Sequence, residues 1–458
     1  MAFQTRKFAA VLLGIVILGK AAHAVETSAS AELTWKPYGT VRNTDSPLNP
    51  DNFLSWPNLT NKALSSFWFD VYFGDYFLLS GNFKFSADNE RAQRLMAASG
   101  GEDYSTLGDL SLGFEQLYFE WTLPNFWYMG YGKYPLRYGY ARVYSPLNYT
   151  SRSLDYRDTT GQWNFWFKGS AGPINFGLNY LPSLRFRDEM NERTDAELLF
   201  SSFETRLKHQ TLTASLNGFF FDALDMSLFF NLQDKGHYEF SSFYLSSGGG
   251  LSWSILDTLI LRGEFLYGNG YSEVKTVQSA NQPIAVLPQQ SYANRDADAF
   301  YAKALGGVTL TLPGDIELSG EYFYNGAGMN ASERQDFFDA LKVSGDALAN
   351  PDYPDEVKTA HKGFLGDGFD NWKIYELGKH YVFLQLRKLG LFQRLDIINT
   401  SILLADDLSF ANITTLDYEF SDSFSIGAEL QFFLFKNDGA YSLTPEQFRC
   451  ELSATYSF

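Results

Sequence analysis

Apolar and polar residues alternate with a period of two along most of the chain, and this constrains the fold more than any other feature. Phe67, Phe69, Val71 and Phe73 are set against Ser66, Trp68, Asp70 and Tyr72. Ile316, Leu318, Gly320, Tyr322 and Tyr324 are set against Glu317, Ser319, Glu321 and Phe323. Phe424, Ile426, Ala428, Leu430, Phe432 and Leu434 are set against Ser425, Gly427, Glu429 and Gln431. In a strand, successive side chains point to opposite faces, so each segment has one apolar and one polar face. About eighteen such segments are legible, with sixteen as the fallback count. The least certain span is 196–221, which holds one long strand or two.

The connections separate a soluble sandwich from a membrane barrel. Connections 42–63, 87–109, 135–161, 182–203, 269–299 and 327–377 are long. Those between them are tight, among them Gly74-Asp75, Ala171-Gly172, Asp222-Ala223 and Pro313-Gly314-Asp315. Asp407-Leu408 breaks the alternation by being short where a long loop is due. Loops sorted by length onto two ends are a mark of outer-membrane barrels. In hydrocarbon every backbone polar group must be satisfied internally, so strands cross only as a closed sheet. The expected fold is therefore all-β: a transmembrane antiparallel β-barrel with short periplasmic turns and long extracellular loops.

The N-terminus reads as an export signal. Arg6 and Lys7 precede an apolar run from Phe8 to Leu18, and Ala22-His23-Ala24 forms a small-x-small cleavage site. The expected domains are a secretory signal peptide over 1–24 and a single barrel over 25–458. Cleavage removes Arg6, Lys7 and Lys20 and takes the net charge from −17 to −20. Such an acidic chain argues against nucleic acid as a partner. The single cysteine, Cys450, excludes an intrachain disulfide framework. The chain ends Tyr456-Ser457-Phe458, a terminal aromatic strand of the kind that outer-membrane proteins present to the barrel-assembly machinery. Tyr456 and Phe458 are the candidate assembly signal.

Two stretches resemble a known group. Gly132-Lys133-Tyr134 through Tyr138-Gly139, followed by Ser145-Pro146-Leu147-Asn148, resembles the strand-to-loop signature of porin-like bacterial outer-membrane barrels, including the alginate-export-type eighteen-stranded ones. Leu224 to Phe230 and Leu259 to Phe265 resemble two upward strands of the same group. Tyr138 stands where that signature usually has Trp. The resemblance implies a channel in the outer membrane. It also implies that the third outer loop, 135–161, folds inward and narrows the pore.

That loop carries Arg137, Arg142, Arg152 and Arg157 against Asp155 and Asp158, together with Tyr138 and Tyr140. Guanidinium groups bind carboxylate and phosphate bidentately. The four arginines and two tyrosines are therefore the candidate constriction, against the alternative of a solvated loop at the barrel mouth. With the polar face taken as inward, the expected lumen wall includes Asp70, Lys84, Glu120, Lys133, Lys168, Arg262, Glu264, Arg387, Glu429 and Glu451. These charges serve a solute path or pair with one another to hold the wall together.

Loop 327–377 contains Ser332-Glu333-Arg334-Gln335, which reads as a capping box, and Pro354-Asp355-Glu356, which opens a second helix. A helical lid over the mouth is expected. Asp367-Gly368-Phe369-Asp370 offers carboxylates to calcium but lacks the twelve-residue loop pattern, and no metal is assigned. His209, His237, His361 and His380 sit in no nucleophile or metal motif, so neither enzymatic activity nor a cofactor is expected.

The leading reading is an outer-membrane channel for passive or facilitated diffusion of small hydrophilic solutes, anions among them. Its partners are membrane lipid, the assembly machinery and the solutes. The alternatives are a transporter of hydrophobic compounds and a non-conducting surface or adhesin barrel.

Overall fold

A computed structural model describes residues 25–52, 58–88, 109–136, 138–148, 161–181, 210–234, 243–269, 274–278, 288, 290–294, 299–371, 377–436 and 439–458. Twenty strands are present: β1 (Val25–Arg42), β2 (Leu59–Phe73), β3 (Phe77–Asp88), β4 (Asp109–Leu123), β5 (Trp127–Tyr134), β6 (Gln162–Ala171), β7 (Ile174–Leu181), β8 (Thr211–Phe220), β9 (Leu224–Asp234), β10 (Phe243–Leu256), β11 (Leu259–Gly268), β12 (Val274–Gln278), β13 (Gln290–Asn294), β14 (Tyr301–Leu312), β15 (Ile316–Asn325), β16 (His380–Leu391), β17 (Leu395–Leu404), β18 (Ser409–Ser421), β19 (Phe424–Leu434) and β20 (Glu446–Ser457). Helices α1 (Ala331–Ala349) and α2 (Asp355–Asn371) lie between β15 and β16.

Eighteen strands form one antiparallel sheet in which each pairs with its neighbours in sequence, β12 and β13 standing apart as a separate hairpin. The sheet closes where β1 pairs with β20, from Glu32 opposite Ser457 to Arg42 opposite Glu446. Reciprocal hydrogen bonds between Ala31 and Phe458 complete the seam. A closed sheet leaves no edge with unpaired backbone groups, as hydrocarbon requires. No helix among the described residues is long and apolar enough to cross a membrane.

The tight turns have a stereochemical cause. Asn125-Phe126, Phe221-Asp222, Gly314-Asp315 and Phe392-Gln393 each place two successive residues at positive φ. Two such residues make a hairpin turn whose twist matches that of its strands. Phe126, Phe221 and Phe392 are 72%, 91% and 84% exposed, which sets aromatic rings around the short-turn end. Tyr456 and Phe458 join this ring, with centroids 5.0 Å apart. The outward face above it is aliphatic and aromatic: Leu228, Phe230, Leu251, Trp253, Leu318, Leu384 and Leu452 are all exposed.

The two helices expected in loop 327–377 are present and pack together. The capping box begins two residues earlier than the sequence suggests. Asn330 accepts from the Glu333 backbone, and the Glu333 carboxylate accepts from the Asn330 backbone, each at 2.9 Å. Phe337, Phe338 and Leu341 of α1 and Phe364 and Leu365 of α2 are buried in one cluster. The same cluster holds Phe323, Tyr381, Phe383, Ile402, Leu404 and Phe433 from the inner barrel wall, with Leu48, Tyr441 and Leu443 from two other outer loops. Burial of such a side chain contributes about 1.5–3 kcal/mol, so the helices are seated against the wall rather than laid over the mouth. Residues 367–370 fall within α2, so this segment is helical rather than a loop.

Asp407-Leu408, the short connection on the long-loop side, anchors this assembly. Arg334 of α1 lies 3.8 Å from the Asp407 carboxylate. Asp406 accepts from the Lys379 and His380 backbones.

Candidate functional site

The loop after β5 folds into the barrel, and two wall carboxylates hold it there. Glu264 on β11 accepts from the backbone N–H of Tyr140, from that of Ala141 at 2.7 Å, and from the Ser145 hydroxyl at 2.5 Å. Glu321 on β15 accepts from the backbone N–H of Arg142 at 2.7 Å and of Val143 at 3.2 Å. The sequence reading placed Glu264 on the wall but did not connect it to the loop. Gly139 sits at φ 96°, a conformation that glycine adopts freely, and this turns the chain toward Glu264.

The wall is recessed to receive the loop. A Cβ at Gly250 would lie 3.0 Å from the Tyr140 ring, and one at Gly248 would lie 3.0 Å from the Leu147 side chain. The Gly248-Gly249-Gly250 run is therefore the signal, in retrospect, for where the loop rests.

Of the expected constriction, Arg142 reaches the wall strand β15. Its guanidinium is 3.3 Å from Glu317, which also lies 3.8 Å from Arg387. Arg262 donates to Thr309, which in turn is 2.6 Å from Ser319. Around the loop's attachment, Arg142, Arg262 and Arg387 thus stand against Glu264, Glu317 and Glu321. Arg137, Arg152 and Arg157 lie outside the described residues.

The remaining wall charges are mostly engaged. Lys84 pairs with Glu115 at 2.5 Å, and Asp70 accepts from Ser28 at 3.4 Å. Lys36 and Glu451 are 3.1 Å apart, and Glu429 accepts from Gln431 at 2.6 Å. Glu115 was missed because a bulge between Asn82 and Phe83 in the β3–β4 register inserts it between the paired residues. Lys133 pairs with Leu117 and Trp163, in the row that alternates with Glu120–Gly130–Trp166 and with Tyr128–Lys168, and it is 5% exposed.

On the other side of the loop is a cavity of about 700 Å3, bounded by the inner wall of β5–β9 and by Leu136, Tyr138, Tyr140 and Leu147. Its wall carries Asn175, Asn179, Ser215, Asn217 and Ser227, with the rings of Tyr128 and Tyr134. Among the described lining residues, Lys168 is the one ionisable acid or base apart from the tyrosines. Its ammonium rests 4.1 Å from the centre of the Tyr134 ring and 5.6 Å from that of Trp166. The Trp166 indole lies across Gly130 and donates to Glu120 at 3.0 Å. Asn179 donates to the Tyr138 hydroxyl at 3.0 Å. Burial pushes the Tyr138 and Tyr140 phenols above their ordinary range, so both remain neutral.

These features define a class: a porin-type transmembrane barrel with an inward-folded third loop. No family model matches the sequence, and no curated protein matches it significantly. Solved structures do. Acinetobacter baumannii OccAB1 superposes with a TM-score of 0.53 at 8% identity, covering 95% of this chain and 97% of that one. Acinetobacter baumannii OccAB4 gives 0.51 at 11% identity, with 94% and 98% covered. Pseudomonas aeruginosa OpdQ gives 0.51 at 8% identity, with 94% and 99% covered. The likeness spans nearly the whole of each chain and is one of fold.

Proposed function

We propose that this chain is an outer-membrane channel through which small hydrophilic solutes diffuse, by the sector of the lumen next to β5–β9. The observation that carries this reading is a solute-sized cavity, lined by asparagine, serine and tyrosine beside apolar surface, inside a closed barrel whose outer face is apolar. Loop 135–161 is its constriction, with Tyr138, Tyr140 and the four arginines Arg137, Arg142, Arg152 and Arg157 as the residues to test. The pairing of Arg142 with Glu317 favours selection by size and hydrogen bonding first and by charge second. Residues 1–24 are removed on export, and N-terminal sequencing of the membrane-extracted protein checks this.

The test of function is single-channel conductance in a planar bilayer. Stepwise ohmic currents are expected. A silent but correctly folded barrel would favour the second reading, a non-conducting surface barrel, to which the seated helices lend support.

A further inference from the structure

The lipid-facing side of β17 and β18 carries a polar patch in the middle of an apolar hairpin. Five outward pairs run down it from the outer end: Leu403–Phe410, Ser401–Asn412, Asn399–Thr414, Ile397–Leu416 and Leu395–Tyr418. Their neighbours fix the side they face. Ser401 and Asn399 stand opposite Leu384 and Leu386 of β16, which are exposed on the outward face. The alternate positions, Ile402 and Leu404, pack inward against the helices. β17 has 10 residues, about the length a tilted strand needs to cross the hydrocarbon. The second and third pairs therefore lie within the apolar band and not at a headgroup surface.

The four polar side chains bond to one another. Asn399 donates to Asn412 Oδ1 at 3.0 Å and to the Thr414 hydroxyl at 2.7 Å. Asn412 donates to Asn399 Oδ1 at 3.2 Å and to the Ser401 hydroxyl at 2.8 Å. Thr414 donates to Asn412 Oδ1 at 3.1 Å. Every amide proton has a partner, as a polar group in hydrocarbon requires. Two capacities are left over. The Ser401 hydroxyl proton goes to no side chain among the described residues, and Asn399 Oδ1 accepts one of the two hydrogen bonds open to an amide oxygen. Both oxygens accept from the same Asn412 nitrogen, so the spare donor and the spare acceptor sit close together. Apolar pairs hold the hairpin above and below, so bracing alone gives no reason for polar ones between them.

Acyl chains can fill neither capacity, whereas a second copy of this chain fills both. Copies inserted the same way up are related by an axis along the membrane normal, which keeps each residue at its depth. Across a two-fold axis the contact is isologous, with each patch meeting itself. Ser401 of each copy then donates to Asn399 Oδ1 of the other, and both spare groups are used. Leu384 and Leu386 rim the patch, and Gly320 opposite Leu384 keeps the adjoining face low. Small residues that allow close approach, with polar groups between them, are what join protein surfaces within lipid. We infer that the quartet Asn399, Ser401, Asn412 and Thr414 is the centre of a contact through which two copies of this chain pair side by side in the membrane.

The test is photo-cross-linking of the full chain in the outer membranes of expressing cells. The photoreactive residue p-benzoylphenylalanine, which attacks C–H bonds, replaces Leu384 at the rim or, as a control, Leu228, which is exposed on β9 across the barrel. Adducts are identified by mass spectrometry. An adduct of two copies is expected from position 384 and none from position 228. No adduct at 384, equal adducts at both positions, or an adduct with a different protein would overturn the inference. Sedimentation equilibrium in detergent supplies the second measurement. Ser401→Ala removes the spare donor on both sides of the axis, and two hydrogen bonds lost within lipid should weaken self-association about tenfold. Unaltered association of Ser401→Ala, or three copies in the unaltered assembly, would show that the quartet does not meet itself. The photo-cross-linking leaves all four polar side chains in place, so it decides the matter even if Ser401→Ala inserts poorly.

Discussion

The inner wall of the barrel has two different sides. On β14–β19 its outer half is apolar. Phe323, Tyr381, Phe383, Ile402, Leu404 and Phe433 face α1 and α2 and are nearly excluded from solvent. On β5–β9 the inward positions mix asparagine, serine and tyrosine with Trp166, Lys168 and Phe229 around a cavity. Apart from the quartet on β17 and β18, the outward face shows no such division, because lipid makes one demand everywhere. A closed sheet thus fixes one face and leaves the other free. The same strand alternation supports a seal on one side and a solute-sized space on the other, with the loop after β5 between them.

The largest disruption removes both sides together. Deleting Phe458 breaks its reciprocal hydrogen bonds with Ala31 and strips an outward ring from the β1–β20 seam. We expect a severe loss of protein from the outer membrane, read by immunoblot of membrane fractions. Normal levels with normal heat-modifiable migration would show that the terminal aromatic is incidental.

A narrower change addresses the sealed side alone. Leu341 is fully buried between α1 and the wall. Leu341→Asp forfeits about 1.5–3 kcal/mol of apolar burial and places a carboxylate where it has no partner, at a further cost of several kcal/mol. The helices are expected to leave the wall while the strands keep their hydrogen bonds. Single-channel conductance should then rise clearly, with heat-modifiable migration retained. An unchanged conductance would place the helices outside the ion path.

The sequence makes the lipid-facing half of this architecture legible and the lumen much less so. Strand spans such as 243–256 and 395–404 can be read almost to the residue, since one apolar face per strand leaves a period-two record. The inward face has no uniform solvent and so no uniform pattern. Its apolar stretch was nonetheless visible, as runs with both faces apolar at the outer strand ends. Tyr381-Val382-Phe383-Leu384 and Ile402-Leu403-Leu404 are such runs, and a strand covered on both sides reads in this way. The short hairpin β12–β13 lies in the connection 269–299, where the alternation gives no strand. The link from Glu264 and Glu321 to the loop joins residues 119 to 179 positions apart in the chain, which no local pattern records.

That link is the hinge of the comparison and can be loosened. In Glu264→Gln the side chain keeps a carbonyl acceptor but loses its charge, and a hydrogen bond to a charged group is worth about 1.5–3 kcal/mol. Glu264 serves Tyr140, Ala141 and Ser145, whereas Glu321 serves Arg142 and Val143. We expect Glu264→Gln to raise open-channel current noise, Glu321→Gln to raise it less, and the double variant to exceed both. Equal quiet traces in all three would mean that packing of Tyr140 and Leu147 on the glycine-recessed wall suffices to hold the loop.

The smallest effect expected is that of Arg142→Gln, and its size separates the two sides electrically. Arg142 and Glu317 are partly exposed, so their pair contributes at most about 1 kcal/mol, and folding should be untouched. Loss of the guanidinium leaves Glu317 with Arg387 alone, which adds one net negative charge beside the loop. If ions pass within reach of that charge, reversal potentials in a salt gradient should shift slightly toward cation preference. The shift should grow at low ionic strength, because screening acts over about 8 Å at physiological salt and farther below it. Lys168→Gln makes the same change of charge at the cavity wall on β6. If the current follows the β5–β9 side, Lys168→Gln should move the reversal potential more than Arg142→Gln does. The opposite order would carry the ion path to the β11–β15 side of the loop, away from the cavity.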